Sequence, residues 1–183
     1  RKQLEYSFLV SMGDAYRDFE ELTALALDHT CALYRLQLDA TKRQRLAESW
    51  RLLPAFGDVA PALRMLRARG IASAVLTNGT RGAADAVLER AAVRNFFADV
   101  LSVQEVRCYK PDPRAYRLAT ERFACTPREI VFVSSNGFDA WGAGHFGFRV
   151  AWCNRGRLPA ETLPPSSEVT LAGLDELEAF VTS

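Results

Sequence analysis

Lys110, Asp139 and the polar runs Thr77-Asn78-Gly79-Thr80 and Ser134-Ser135-Asn136 are the residues in this chain whose types suit chemistry on a small anion. An ammonium such as that of Lys110 can hold a carboxylate or a phosphate. Lys110 precedes Pro111, which biases it toward extended backbone and away from helix. It is therefore expected in a loop ahead of a helix, reaching inward, with Asp112-Pro113 as a turn and Tyr116 nearby. Thr77 to Thr80 offer hydroxyls, an amide and free backbone N–H groups at a helix start, which suits an anion cradle. Ser134, Ser135, Asn136 and Asp139, with Phe138 between them, are richer in polar groups than a helix cap requires. Each stretch alone also reads as a capping turn or a solvated surface. Together they read as one pocket.

Strands must bring these residues together. Val131-Phe132-Val133 and Ala72-Ser73-Ala74-Val75-Leu76 are largely apolar runs that stop abruptly at the polar residues. Ligands of open α/β sheets bind at the carboxyl ends of strands. From Asp58 onward strands are expected at 72–76, 98–102, 129–133, 148–152 and 167–170. Helices are expected at 58–69, 82–91, 112–123, 138–146 and 173–181. Apolar strands alternating with helices predict an α/β fold, a Rossmann-like parallel sheet covered by helices on both faces. Asp58 is expected to cap a helix with the stripe Val59, Ala62, Leu63 and Leu66, and Gly70 to end it. Leu158 to Ser167, with Pro159, Pro164 and Pro165, reads as a surface loop.

Residues 1–53 show helical spacing and no strand alternation. Leu4, Phe8, Leu9 and Met12 mark one helix; Leu22, Leu25, Ala26 and His29 a second; Leu46 and Trp50 a third. Gly13-Asp14 and the stretch Leu38 to Thr41 break them. The reading is a helical cap lobe at 1–53 and a core at 54–183.

Composition excludes several classes. Lys+Arg 23 against Asp+Glu 22 leaves a net charge of +1, with no basic tract of the kind nucleic-acid binders use. Arg64, Arg67 and Arg69 read as the solvated face of a helix. No apolar run approaches the roughly 20 residues of a membrane span, and no signal-peptide pattern is visible. Cys31, Cys108, Cys125 and Cys153 form no C-x-x-C pair, so reduced thiols and a cytoplasmic location are expected. His29 and His145 stand alone and predict no metal site.

Four motifs in register resemble the haloacid dehalogenase superfamily, and within it the (S)-2-haloacid dehalogenases. They are Lys2-Gln3-Leu4-Glu5-Tyr6, Leu76-Thr77-Asn78-Gly79, Tyr109-Lys110-Pro111-Asp112-Pro113 and Phe132-Val133-Ser134-Ser135-Asn136-Gly137-Phe138-Asp139. The resemblance implies hydrolytic dehalogenation of small (S)-2-haloalkanoic acids through an aspartyl ester. It implies that Lys110 orients the nucleophilic carboxylate and that Tyr116 and Ser134 brace the site. Asn136 and Asp139 would position and polarise the hydrolytic water. Thr77 and Asn78 would hold the substrate carboxylate. Leu4, Phe19 and Phe138 would wall the alkyl chain and halide, with phenylalanine at 138 where the family's tryptophan is expected. Cytoplasmic homodimers without a cofactor are the family expectation.

Phosphatases of the superfamily carry Gly-Asp-x-x-x-Asp where this chain has Ser134-Ser135 before Asp139. Losing one carboxylate disfavours magnesium, which takes hard oxygen ligands. A magnesium-dependent phosphatase and a non-catalytic small-anion-binding module are the alternatives. The family's nucleophile lies in an N-terminal Asp-x-Tyr-Gly-Thr strand and loop that has no counterpart here. The expectation is therefore a core without its first, central strand, with open edges on either side, and no turnover by residues 1–183 alone. Arg1 is not assigned the role of the family's substrate-gathering arginine.

Overall fold

Asp18 and Asp39 start two of the three N-terminal helices, their carboxylates accepting the N–H groups of Glu21 and Lys42 at 2.8 Å. The computed structural model describes residues 1–160, 162–163 and 167–182. Within the loop expected at 158–167, Glu161, Pro164, Pro165 and Ser166 lie outside the described residues. The helices are α1 (Lys2–Met12), α2 (Phe19–Leu33) and α3 (Ala40–Glu48), the last continuing as a 3-10 turn over Ser49–Leu52. Leu22 and Ala26 are buried, but Leu9, Met12, Leu25 and Leu46 are exposed. Helical spacing shows which face is apolar, not whether a partner covers it. The lobe is too thin to cover all of its apolar positions.

The core follows the expected alternation: α4 (Val59–Ala68), β1 (Ser73–Thr77), α5 (Arg81–Arg90), β2 (Phe97–Ser102), α6 (Pro113–Phe123), β3 (Val131–Ser134), α7 (Gly137–Phe146), β4 (Arg149–Cys153), β5 (Val169–Leu171) and α8 (Leu177–Val181). Every strand pairing among the described residues is parallel. Side chains alternate across a strand. Val131 and Val133 pack with Leu66 of α4 and Leu177 of α8, while Phe132 packs with Tyr116 of α6 and Ala143 of α7. Helices thus cover both faces. Arg64, Arg67 and Arg69 are exposed on α4, and no helix among the described residues is long and apolar enough to cross a membrane.

The strands form two half-sheets, β1-β2 and β3-β4-β5. Burial runs opposite to that of a continuous sheet. Val100 of β2 and Ala151 of β4 are 0% exposed, whereas Ala74 in the middle of β1 is exposed and Val131 to Val133 are only half-buried. A cavity of about 840 Å³ separates β1 from β3, lined by Ala72 to Leu76 and Ile130 to Ser135. Leu63 and Leu66 of α4 close one face of it, and Ala119 and Phe123 of α6 the other. Lys110 and Asp139 also line it.

Asp58 precedes α4 but does not cap it with its side chain. Its carboxylate instead takes Arg155 at 2.7 and 2.9 Å and the Leu174 N–H at 2.7 Å. A bidentate, charge-assisted pairing outcompetes a single cap bond. The hydrogen bond from Arg155 holds the Asp58 carboxyl below its usual range, and that from Arg122 does the same for Asp99. A carboxyl whose folded pKa is depressed adds stability above its unfolded pKa of about 3.9 and loses it as pH falls through the folded value. Urea unfolding at pH 7 and pH 3 is expected to show this. Asp58→Ala is expected to cost about 1–3 kcal/mol at pH 7 and to narrow the gap between the two pH values; an unchanged gap would contradict the assignment.

Candidate active site

The loop before α6 carries Lys110 into the molecule, where it is 6% exposed. Its backbone N–H donates to Asn78 Oδ1 at 3.1 Å. Its Nζ donates to Leu76 O at the end of β1 (3.0 Å) and to Asp139 Oδ2 in the first turn of α7 (2.9 Å), and lies 5.3 Å from the Phe132 ring centroid. The lysine therefore bridges the carboxyl end of the cavity between the two half-sheets. An ammonium has three N–H donors; these hydrogen bonds use two.

Asp139 is buried beside it. Oδ2 also accepts from Ser134 Oγ at 3.0 Å, and Oδ1 accepts from Tyr116 OH at 2.9 Å. Burial, reinforced by the adjacent carboxylate, pushes the Tyr116 phenol well above its usual pKa. It stays protonated and donates throughout the working pH range. Asn136 stands at the exposed start of α7, where its carbonyl accepts the Asp139 N–H at 3.1 Å.

The Thr77–Thr80 turn is pinned from several sides. Thr77 Oγ1 accepts the Gly79 N–H at 2.9 Å, leaving its own proton to donate. Ser102 Oγ donates to Gly79 O at 2.8 Å. Thr80 Oγ1 accepts the Ala83 N–H, capping α5, and donates to Glu20 Oε1 of α2 at 2.6 Å. Sequence reasoning misses Glu20 and Ser102 as site supports, because nothing local marks partners 60 and 23 residues away.

The apolar residues divide. Leu4 and Phe8 lie four apart on α1, hence on one face, and the Phe8 ring meets Phe138 edge-on at 5.4 Å between centroids. Phe8 is the missed residue here; its spacing from Leu4 is visible in the sequence but signals only a core stripe. Phe19 tilts onto Tyr109 at 5.8 Å and packs where the lobe meets the core. Tyr109, next to Lys110, ties the lobe down further. Its N–H donates to Ser11 Oγ at 2.9 Å and its hydroxyl to Arg17 O at 2.6 Å.

This arrangement can hold a small anion at the turn after β1 and orient a second carboxylate against the lysine. Among the described residues no group of three His, Cys, Asp or Glu is placed to hold a metal ion. Any divalent cation at Asp139 would compete with the Lys110 ammonium.

Comparison with known proteins gives the family and the fold. A family model for haloacid dehalogenase-like hydrolases matches residues 5–147. An (S)-2-haloacid dehalogenase of Pseudomonas sp. (strain YL) is 43% identical over 155 residues, 85% of this chain and 67% of that protein. Haloacetate dehalogenase H-2 of Moraxella sp. (strain B) is 38% identical over 177 residues, 97% of this chain and 79% of that one. The crystal structure of L-2-haloacid dehalogenase from Xanthobacter autotrophicus with chloropropionic acid covalently bound superposes with a TM-score of 0.91 at 31% identity, covering 100% of this chain and 83% of that chain.

Proposed function

Since the chain belongs to the haloacid dehalogenase-like hydrolases, we propose that it serves the hydrolytic dehalogenation of small (S)-2-haloalkanoic acids to (R)-2-hydroxy acids. One observation carries the reading: a buried ammonium, Lys110, held at the carboxyl end of an unfilled gap between two parallel strands. A strand preceding residue 1 and ending in aspartate would fill that gap and set its carboxylate against the free N–H of Lys110.

In this scheme the aspartate attacks C2, the carbon–halogen bond breaks with inversion, and halide leaves with the bonding pair. Water then attacks the acyl carbon of the ester. The hydroxy acid departs, its alkoxide taking one proton of the water while the other passes to solvent, and the aspartate carboxylate is regenerated. The Thr77 hydroxyl and Asn78 hold the substrate carboxylate. Leu4, Phe8, Phe19 and Phe138 supply the apolar wall. Tyr116 and Ser134 hold the Asp139 carboxylate in place beside Lys110, and Asp139 with Asn136 positions and polarises the water. Covalent chloropropionate in the Xanthobacter relative supports the ester step. No metal is required, since the ammonium supplies the positive charge. We place the enzyme in the cytoplasm as a homodimer joined through the exposed apolar positions of the lobe, such as Leu9, Met12, Leu25 and Leu33.

Halide release from a polypeptide extended upstream of residue 1 tests the proposal, using each 2-chloropropionate enantiomer with and without EDTA. Turnover of the (S) enantiomer, insensitive to EDTA, is the expected result. EDTA-sensitive phosphate release from a phosphomonoester, with no halide release, would establish a phosphatase instead. Small-anion binding without turnover of either substrate class would leave a binding module.

A further inference from the structure

Gly142 lies three residues after Asp139 on α7, so the two share a helix face. It is buried, its φ lies outside the positive range, and glycine is a poorer helix former than alanine. Backbone freedom therefore does not explain it; space does. A Cβ at this position would lie 2.5 Å from Tyr116 OH, 2.7 Å from Pro111 Cβ and 3.2 Å from Tyr116 Cε2. Both obstacles are stiff, a proline ring and a phenol. Pro111 belongs to the Lys110 loop and the Tyr116 hydroxyl is a donor to Asp139. The Lys110 loop and Tyr116, two elements that converge on Asp139, thus meet over the bare Cα of Gly142.

We propose that Gly142 is a positioning residue for the dehalogenation, resting on the function proposed above: its missing side chain lets the Lys110 loop and Tyr116 close together on Asp139. It touches neither substrate nor nucleophile. Its effect reaches the reaction through the placement of the lysine and of the Asp139 carboxylate.

The test uses Gly142→Ala, Tyr116→Phe and the double variant in the polypeptide extended upstream of residue 1, reading kcat, KM and melting. Gly142→Ala is expected to lower kcat at least tenfold with KM within about twofold, because the Thr77–Thr80 turn is untouched. Removing the nearest obstructing atom should relieve the defect. In the Tyr116→Phe background the alanine is expected to cost at least threefold less than in the wild type. A folded Gly142→Ala enzyme with unchanged kcat, or losses that multiply fully in the double variant, would overturn the proposal. Should Gly142→Ala fail to fold, recovery of melting in the double variant supports it, and no recovery overturns it. The Tyr116 hydroxyl proton, followed by NMR, is expected to exchange slowly in the wild type and rapidly in Gly142→Ala. That readout stands even if the wild type releases no halide, which would defeat the functional reading alone.

Discussion

Lys110→Ala is expected to lower kcat for halide release from the full-length polypeptide by about a thousandfold, the scale of removing one preorganised electrostatic partner from the transition state. It is also expected to destabilise the fold by about 3–5 kcal/mol, because it leaves Asp139 buried with its counter-charge gone. The Lys110 and Asp139 side chains are 8% and 7% exposed and 2.9 Å apart, so water cannot take over the missing charge. The two effects separate by a second substitution. Lys110→Met combined with Asp139→Leu removes both charges from the interior. Replacing a buried pair by apolar groups is often neutral or stabilising, so urea unfolding should recover in part, the Tyr116 and Ser134 hydroxyls having lost their acceptor, while halide release does not. A Lys110→Ala enzyme with normal turnover would remove the orienting cation from the mechanism. Arginine is no conservative substitute, since its planar fork does not match a point donor shared between Leu76 O and Asp139.

Filling the gap between the half-sheets is the second large effect expected. A chain extended upstream so that a parallel strand enters the 840 Å³ cavity should melt roughly 10–20 °C higher than residues 1–183 alone. Burying an aliphatic side chain contributes about 1.5–3 kcal/mol, while ordering each residue costs about 1–2 kcal/mol. Strand residues that bury side chains on both faces and satisfy the open edges of β1 and β3 leave a net gain on the order of 5 kcal/mol, near 2–4 °C per kcal/mol for this size. Thermal scans of the two polypeptides, with a charged residue at the centre of the added strand as a control, check it. Equal melting of all three would show that the cavity does not receive the strand.

Much of this fold is legible in the chain because its punctuation is local. Gly70 takes a left-handed conformation just past α4, as expected of a C-terminal stop, and Asp112 caps α6 by accepting the Arg114 N–H. The polar strand ends at Thr77 and Ser134 are legible for the same reason. Apolar runs that end in hydroxyls and amides mark a sheet's carboxyl edge. What escapes is non-local. Asp58 reads as a cap, but its stronger partner Arg155 lies 97 residues away. Leu9 and Met12 read as part of a helix, but spacing identifies a face and not its cover. Phe8 and Gly142 have roles set by Phe138, Tyr116 and Pro111, which only the folded chain brings near. The gap between β1 and β3 is likewise invisible to composition and periodicity, because it depends on which strands pair.

The Tyr109 hydrogen bonds with Ser11 and Arg17 tether the helical lobe to the residue beside the lysine. Lids that admit substrate commonly swing on microsecond to millisecond timescales. Any such swing of the helical lobe would have to break these two bonds or carry the residue beside Lys110 with it, and a spectroscopic probe on the lysine loop would tell the two apart.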